Sequence, residues 1–138
     1  MSQGGGQAHA RSRPKARGLT GLVNTGNSCY LNACIQVLSH TRELNAFLNT
    51  GTYKGRLNKK ADAVLLVEWD RLRRMMWETD CTIAPHGFVG AVRKVAGVKG
   101  RHLFAGQEQS DAQEFMLFLT ECFHGALARA VDMQVTGE

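Results

Sequence analysis

The chain has 138 residues, 43% hydrophobic and 21% charged, with 15 glycines against 2 prolines. That suffices for one hydrophobic core in one domain, and it excludes a collagen-like repeat or a chain too polar to fold. The net charge of +5 suggests a nucleic-acid partner until it is located: Arg11, Arg13, Lys15, Arg17 and Arg42 have no acidic neighbour through residue 42, and beyond it twelve basic residues balance twelve acidic ones.

Residues 1–17 contain no Val, Leu, Ile, Phe, Trp or Tyr, so they bury too little to offset the entropy of ordering and read as a disordered basic tail. Such a tail can bind nucleic acid or act as a nuclear address. The absence of interleaved aromatics for base stacking favours a solvated leader over either. The tail lacks the apolar centre of a secretory signal, and no stretch approaches the ~18 apolar residues of a membrane span. Residues 18 to 138 read as the domain.

Gly18 to Gly26, GLTGLVNTG, reads as an extended, sharply turning loop. A helix follows, with Leu31, Cys34, Ile35 and Leu38 on one buried face and Asn27 or Ser28 supplying the N-cap oxygen. A second helix spans about Ala61 to Trp77, with Leu65, Trp69, Leu72 and Met76 inward and Glu68, Asp70, Arg73 and Arg74 largely elsewhere. A short third starts near Pro85, buries Phe88, Val92 and Val95, and breaks at GVKG. The last carries a capping-box pattern at Ser110 and Gln113 and an apolar face of Phe115, Phe118, Leu119, Cys122 and Phe123. No strand is comparably clear, so the expected class is mostly α.

Four cysteines, Cys29, Cys34, Cys81 and Cys122, show no CxxC and no regular framework, which fits free thiols in a reducing compartment, cytosol or nucleus. Cys34 and Cys122 fall on apolar helical faces and Cys81 in a connecting segment. Cys29 follows a glycine-bearing turn at the first turn of a helix, where unpaired N–H groups and the helix dipole favour thiolate, the reactive species. On position alone a buried, inert thiol remains the alternative. Acyl transfer also needs donors aimed at a developing oxyanion, and Asn24, five residues earlier across the Gly26 turn, is placed to offer its amide.

The run GLVNTGNSCYLNACIQVL, residues 21 to 38, resembles the cysteine box of the ubiquitin-specific proteases, usually close to GLxNxGNTCYxNxxxQxL, with Ser28 in place of the usual Thr. A second block, QSDAQEFMLFLTECFH at residues 109 to 124, is similar to that family's QxDAxEFLxxLLxxLH segment. Together they bracket nearly the whole domain. The resemblance implies that Cys29 is the nucleophile, that Asn24 stabilises the oxyanion, and that Gln109 and Asp111 contact the Arg- and Gly-rich C-terminal tail of ubiquitin. It also implies ubiquitin or ubiquitinated proteins as partners, and no cofactor. The implied fold is the helical thumb-like part of a papain-like α+β fold, truncated before the palm and fingers.

That family's histidine box is expected far downstream of the second block. His9, His40, His86, His102 and His124 each read as surface or packing residues, with His102 in a loop and His124 facing the core. A Cys81/His86 pair lacks two further metal ligands. The expected activity is therefore thiol-dependent hydrolysis at the ubiquitin C-terminus, weak in this chain alone. The rival is a non-catalytic ubiquitin-binding or regulatory remnant.

Overall fold

A computed structural model describes residues 18–24, 26, 28–78, 80–106 and 109–128. The tail expected over residues 1–17 and the Asn27 cap lie outside them. In chain order the elements are β1 (Gly21–Leu22), α1 (Cys29–Ser39), α2 (Arg42–Asn49), a 3-10 turn (Thr52–Arg56), α3 (Ala61–Glu78), β2 (Thr82–Ile83), α4 (His86–Val98), α5 (His102–Ala105) and α6 (Ala112–Leu127). The mostly helical class holds.

α3 is the spine: it packs against α4 and α6, while α1 lies on α6 and α5 on α4. The reason is its apolar stripe of Leu65, Trp69, Leu72 and Met76, all buried. The Trp69 ring stands 5.6 Å from Phe88 of α4 and 6.2 Å from Phe123 of α6, joining three helices at one point. A second aromatic group sits under α1. There Tyr30 meets Phe115 edge-on at 5.3 Å, and Phe104 lies 5.4 Å from Phe115 and 5.1 Å from Phe118. Burying each ring contributes about 1.5–3 kcal/mol.

The loop read at Gly18 to Gly26 is extended, and part of it pairs. β1 runs parallel to β2 in the register Gly21 to Thr82 and Leu22 to Ile83. Gly21 N donates to Cys81 O at 2.8 Å and Val23 N to Ile83 O at 2.9 Å. Gly18 starts this segment with φ +63, and a Cβ there would lie 2.8 Å from the Trp77 ring, so only glycine fits.

Three local expectations are corrected. Ser28 is the N-cap residue of α1 but makes no side-chain cap hydrogen bond, because its hydroxyl is turned toward Asn24. At α6 the cap is Asp111 rather than Ser110: its carboxylate accepts from Gln113 N at 2.7 Å, while the Ser110 hydroxyl donates to Leu103 O. Asp70 and Arg73 of α3 are buried, since Arg73 Nη2 lies 2.6 Å from Asp70 Oδ1, Arg74 Nε 3.2 Å from Asp70 Oδ2, and the Tyr53 hydroxyl donates to the same carboxylate. Paired charge is tolerated inside where lone charge is not. Tyr53 comes from the 3-10 turn, whose lack of apolar periodicity hid it; α2 carries Leu44, Phe47 and Leu48 at i, i+3 and i+4, a pattern too short to stand out.

This network and Cys122 make stability sensitive to alkali. Burial, then the neighbouring Asp70 carboxylate, pushes the Tyr53 phenol from its ordinary 10.0 up to about 12, and burial pushes the Cys122 thiol from 9.0 up to about 11. Both folded values exceed the unfolded ones, so the stabilisation is intact below pH 9 and is lost as pH rises through about 11 to 12. Urea midpoints are expected to hold steady up to pH 9 and fall beyond it. A profile still flat at pH 11 would contradict the burial of both groups.

Candidate active site

Gly26 turns the chain with φ +105, a conformation that L side chains rarely adopt. Ser28 and then Cys29 follow, so the thiol stands on the first residue of α1, where backbone N–H groups have no helical partner. Cys29 is exposed, whereas Cys34 and Cys122 are buried, and no disulfide joins any of the four cysteines.

The Cys29 thiol donates to Gln109 Oε1 at 3.2 Å, joining residues 80 positions apart in the chain. The cysteine box and the second block thus meet at the sulfur. A second tie lies one turn further along α1, where the Cys34 thiol donates to Ala112 O at 3.2 Å. Burial pushes that thiol above its ordinary range. The two sulfurs on one helix are sorted by exposure.

Asn24 is exposed and accepts at Oδ1 from the Ser28 hydroxyl at 3.0 Å. That bond fixes which end of the amide is occupied, leaving Nδ2 as the donor for a negative oxygen. Asp111 is likewise exposed, two positions past Gln109, with Oδ1 committed to the α6 cap. No hydrogen bond joins Asn24 or Asp111 directly to Cys29. Gln109 alone of the sequence-derived site residues touches the sulfur.

Three residues of the cysteine box support the site: Asn32 and Gln36, matched without a role being read for them, and Ser28, read as a cap. Ser28 orients Asn24, Asn32 Nδ2 donates to Val23 O at 3.1 Å, and Gln36 Nε2 donates to Thr20 O at 2.9 Å. Thr20 Oγ1 in turn donates to Met76 O of α3 at 2.6 Å. The signal was available: two carboxamides four residues apart on an otherwise apolar helix, beside a glycine-rich segment whose carbonyls need donors.

His40, His86, His102 and His124 are exposed, and none is hydrogen-bonded to Cys29. His40 Nδ1 lies 2.9 Å from Gln36 O and its ring 5.4 Å from Trp77. His102 opens α5 instead of lying in a loop, and His124 faces solvent instead of the core, since the apolar stripe of α6 is completed by Cys122 and Phe123. A cleft of about 660 Å³ between α5 and α6 is walled by Leu103, Phe104, Leu117 and Phe118, with Arg101 and Glu121 at its rim; Cys29 is not part of it. Among the described residues no group of three His, Cys, Asp or Glu could hold a metal ion, and no helix is long and apolar enough to cross a membrane.

An exposed thiol on the first residue of a helix, met by one carboxamide from 80 positions away, is suited to the nucleophile of a cysteine hydrolase. The family profile "Ubiquitin carboxyl-terminal hydrolase" matches residues 20–136. The chain belongs to that family. It is 36% identical over 118 residues to ubiquitin carboxyl-terminal hydrolase Usp2 of Drosophila melanogaster, covering 85% of this chain and 12% of that protein. It is also 35% identical over 116 residues to human ubiquitin carboxyl-terminal hydrolase 19, covering 81% of this chain and 8% of that one. With bovine ubiquitin carboxyl-terminal hydrolase 2 it shares 32% identity over 120 residues, covering 84% of this chain and 19% of the relative. The chain therefore spans less than a fifth of each of these relatives.

Proposed function

We propose that this chain is the nucleophile-bearing part of a deubiquitinase that hydrolyses isopeptide or peptide bonds after the ubiquitin C-terminus. The Cys29 sulfur attacks the carbonyl carbon, Asn24 Nδ2 and backbone N–H groups hold the oxyanion, the amine leaves, and water resolves the thioester. The general base comes from a histidine other than those described. No cofactor takes part. The observation that carries the reading is the meeting of both motifs at one exposed thiol. In this reading Gln109 and Asp111 meet the ubiquitin tail, Asp111 Oδ2 accepting a charge-assisted bond from one of its arginines. Four cysteines joined by no disulfide support a reducing compartment, cytosol or nucleus.

The test is labelling with ubiquitin carrying a C-terminal electrophile. Cys29 is expected to be labelled ahead of Cys81, the other exposed thiol. Asp111→Asn keeps a good N-cap but removes the charge, so it should slow that labelling roughly tenfold. Equal labelling of Cys29 and Cys81, or no effect of Asp111→Asn, would count against tail recognition and favour a remnant without ubiquitin chemistry.

A further inference from the structure

The contact between Cys29 and Gln109 pairs an exposed thiol with an exposed carboxamide, and exposed pairs are ordinarily loose. This one is held from behind. Ser110 donates to Leu103 O at 3.2 Å, Asp111 caps α6, and Ala112 O accepts the Cys34 thiol. The residue after Gln109 is thus tied to α5, and the residue three after it to α1. Gln109 is carried on a backbone fixed relative to the very helix that bears Cys29.

A carboxamide can serve either state of the sulfur. Its oxygen accepts and its nitrogen donates, and a half-turn about the last torsion exchanges them at one place in space. Oε1 faces the sulfur when the sulfur carries its proton. Once the proton leaves, the oxygen would oppose the negative sulfur, and the half-turn brings Nε2–H to it instead. A bond to an ionised acceptor is roughly twice as strong as one between neutral groups, so the exchanged pair is the better bound of the two.

We propose that Gln109 is a positioning residue for the Cys29 sulfur in both of its protonation states, its Oε1 accepting from the thiol and, after a half-turn of the amide, its Nε2–H donating to the thiolate. This role rests on the proposed nucleophile and adds to the tail contact assigned above. It predicts that Gln109 assists any attack by Cys29, with or without ubiquitin.

The measurement is the rate of iodoacetamide alkylation, site by site, on the full 138-residue chain. In that reaction the thiolate sulfur displaces iodide from the CH2 group, a C–S bond replaces the C–I bond, and the thiol proton passes to buffer. Gln109→Met keeps the shape and removes both polar atoms. Gln109→Glu keeps the shape and the acceptor but sets a negative charge against the thiolate. Relative to the native chain, Gln109→Met should slow alkylation of Cys29 roughly fivefold and Gln109→Glu by more than about tenfold. Cys81 serves as the internal reference and should not change in either. Gln109→Met decides the role, because the charge of Gln109→Glu opposes the thiolate whatever the native amide does. An unchanged or faster Cys29 rate in Gln109→Met would overturn the proposal, as would Gln109→Glu reacting as fast as Gln109→Met. No ubiquitin is present, so failure here leaves the labelling result above intact.

Discussion

A polypeptide of these 138 residues, offered a fluorogenic amide of the ubiquitin C-terminus, is expected to turn it over at close to the background rate. The thiol is exposed, but no described histidine is hydrogen-bonded to Cys29, whose partner is the neutral Gln109. General acid–base assistance is worth about a hundred- to ten-thousand-fold. Catalytic groups also act as a unit, so losing the base removes most of the benefit of keeping the nucleophile. Cys29→Ser should therefore leave the residual rate where it was, even though Cys29 still reacts with iodoacetamide ahead of Cys34 and Cys122, which are buried. Robust turnover that disappears in Cys29→Ser would contradict this, and His102 would be the first residue to replace in search of the base.

Phe115→Ala is expected to be the most damaging single change in the core. Phe115 is fully buried at the start of α6 and touches Tyr30 of α1, Phe104 of α5 and Phe118 of its own helix. Truncation removes the transfer free energy of the ring and leaves a cavity that three rigid helices cannot close, a loss of about 3–5 kcal/mol. For a domain of this size that lowers the melting midpoint by roughly 10 °C or more. Tyr30 is the neighbour of Cys29 in sequence, so the damage reaches the site: its edge-on contact with Phe115 sets the roll of α1 about its axis. An unchanged midpoint would refute the core assignment.

Much of this was legible in the sequence because the responsible signals are local. The start of α1 follows from Gly26 and the apolar spacing of Leu31, Cys34, Ile35 and Leu38. α3 runs Ala61–Glu78 where Ala61 to Trp77 was expected, since a long amphipathic stripe needs no tertiary context. Phe115, Leu119, Cys122 and Phe123 are buried as their spacing requires. What escaped depends on contacts made across the chain. Asp70 and Arg73 look like solvent-side charges until Tyr53 arrives from another segment. Ser28 looks like a cap until Asn24 is folded back within reach of its hydroxyl. The β1 and β2 pair is two residues long, too brief for alternation to register at all.

The bond from Cys29 to Gln109 closes a loop of 80 residues, and a contact of that span forms only after the chain between has been organised. Synthesis runs vectorially at about 5–20 residues per second, so Cys29 is made roughly 4–16 s before its amide partner exists. Through that interval the sulfur has neither its acceptor nor the packing of Tyr30 on Phe115, and the nascent chain carries an unguarded thiol. Oxidants or electrophiles met during translation would therefore find a cysteine whose environment is that of an unfolded segment, and its contact with Gln109 forms only when α6 docks.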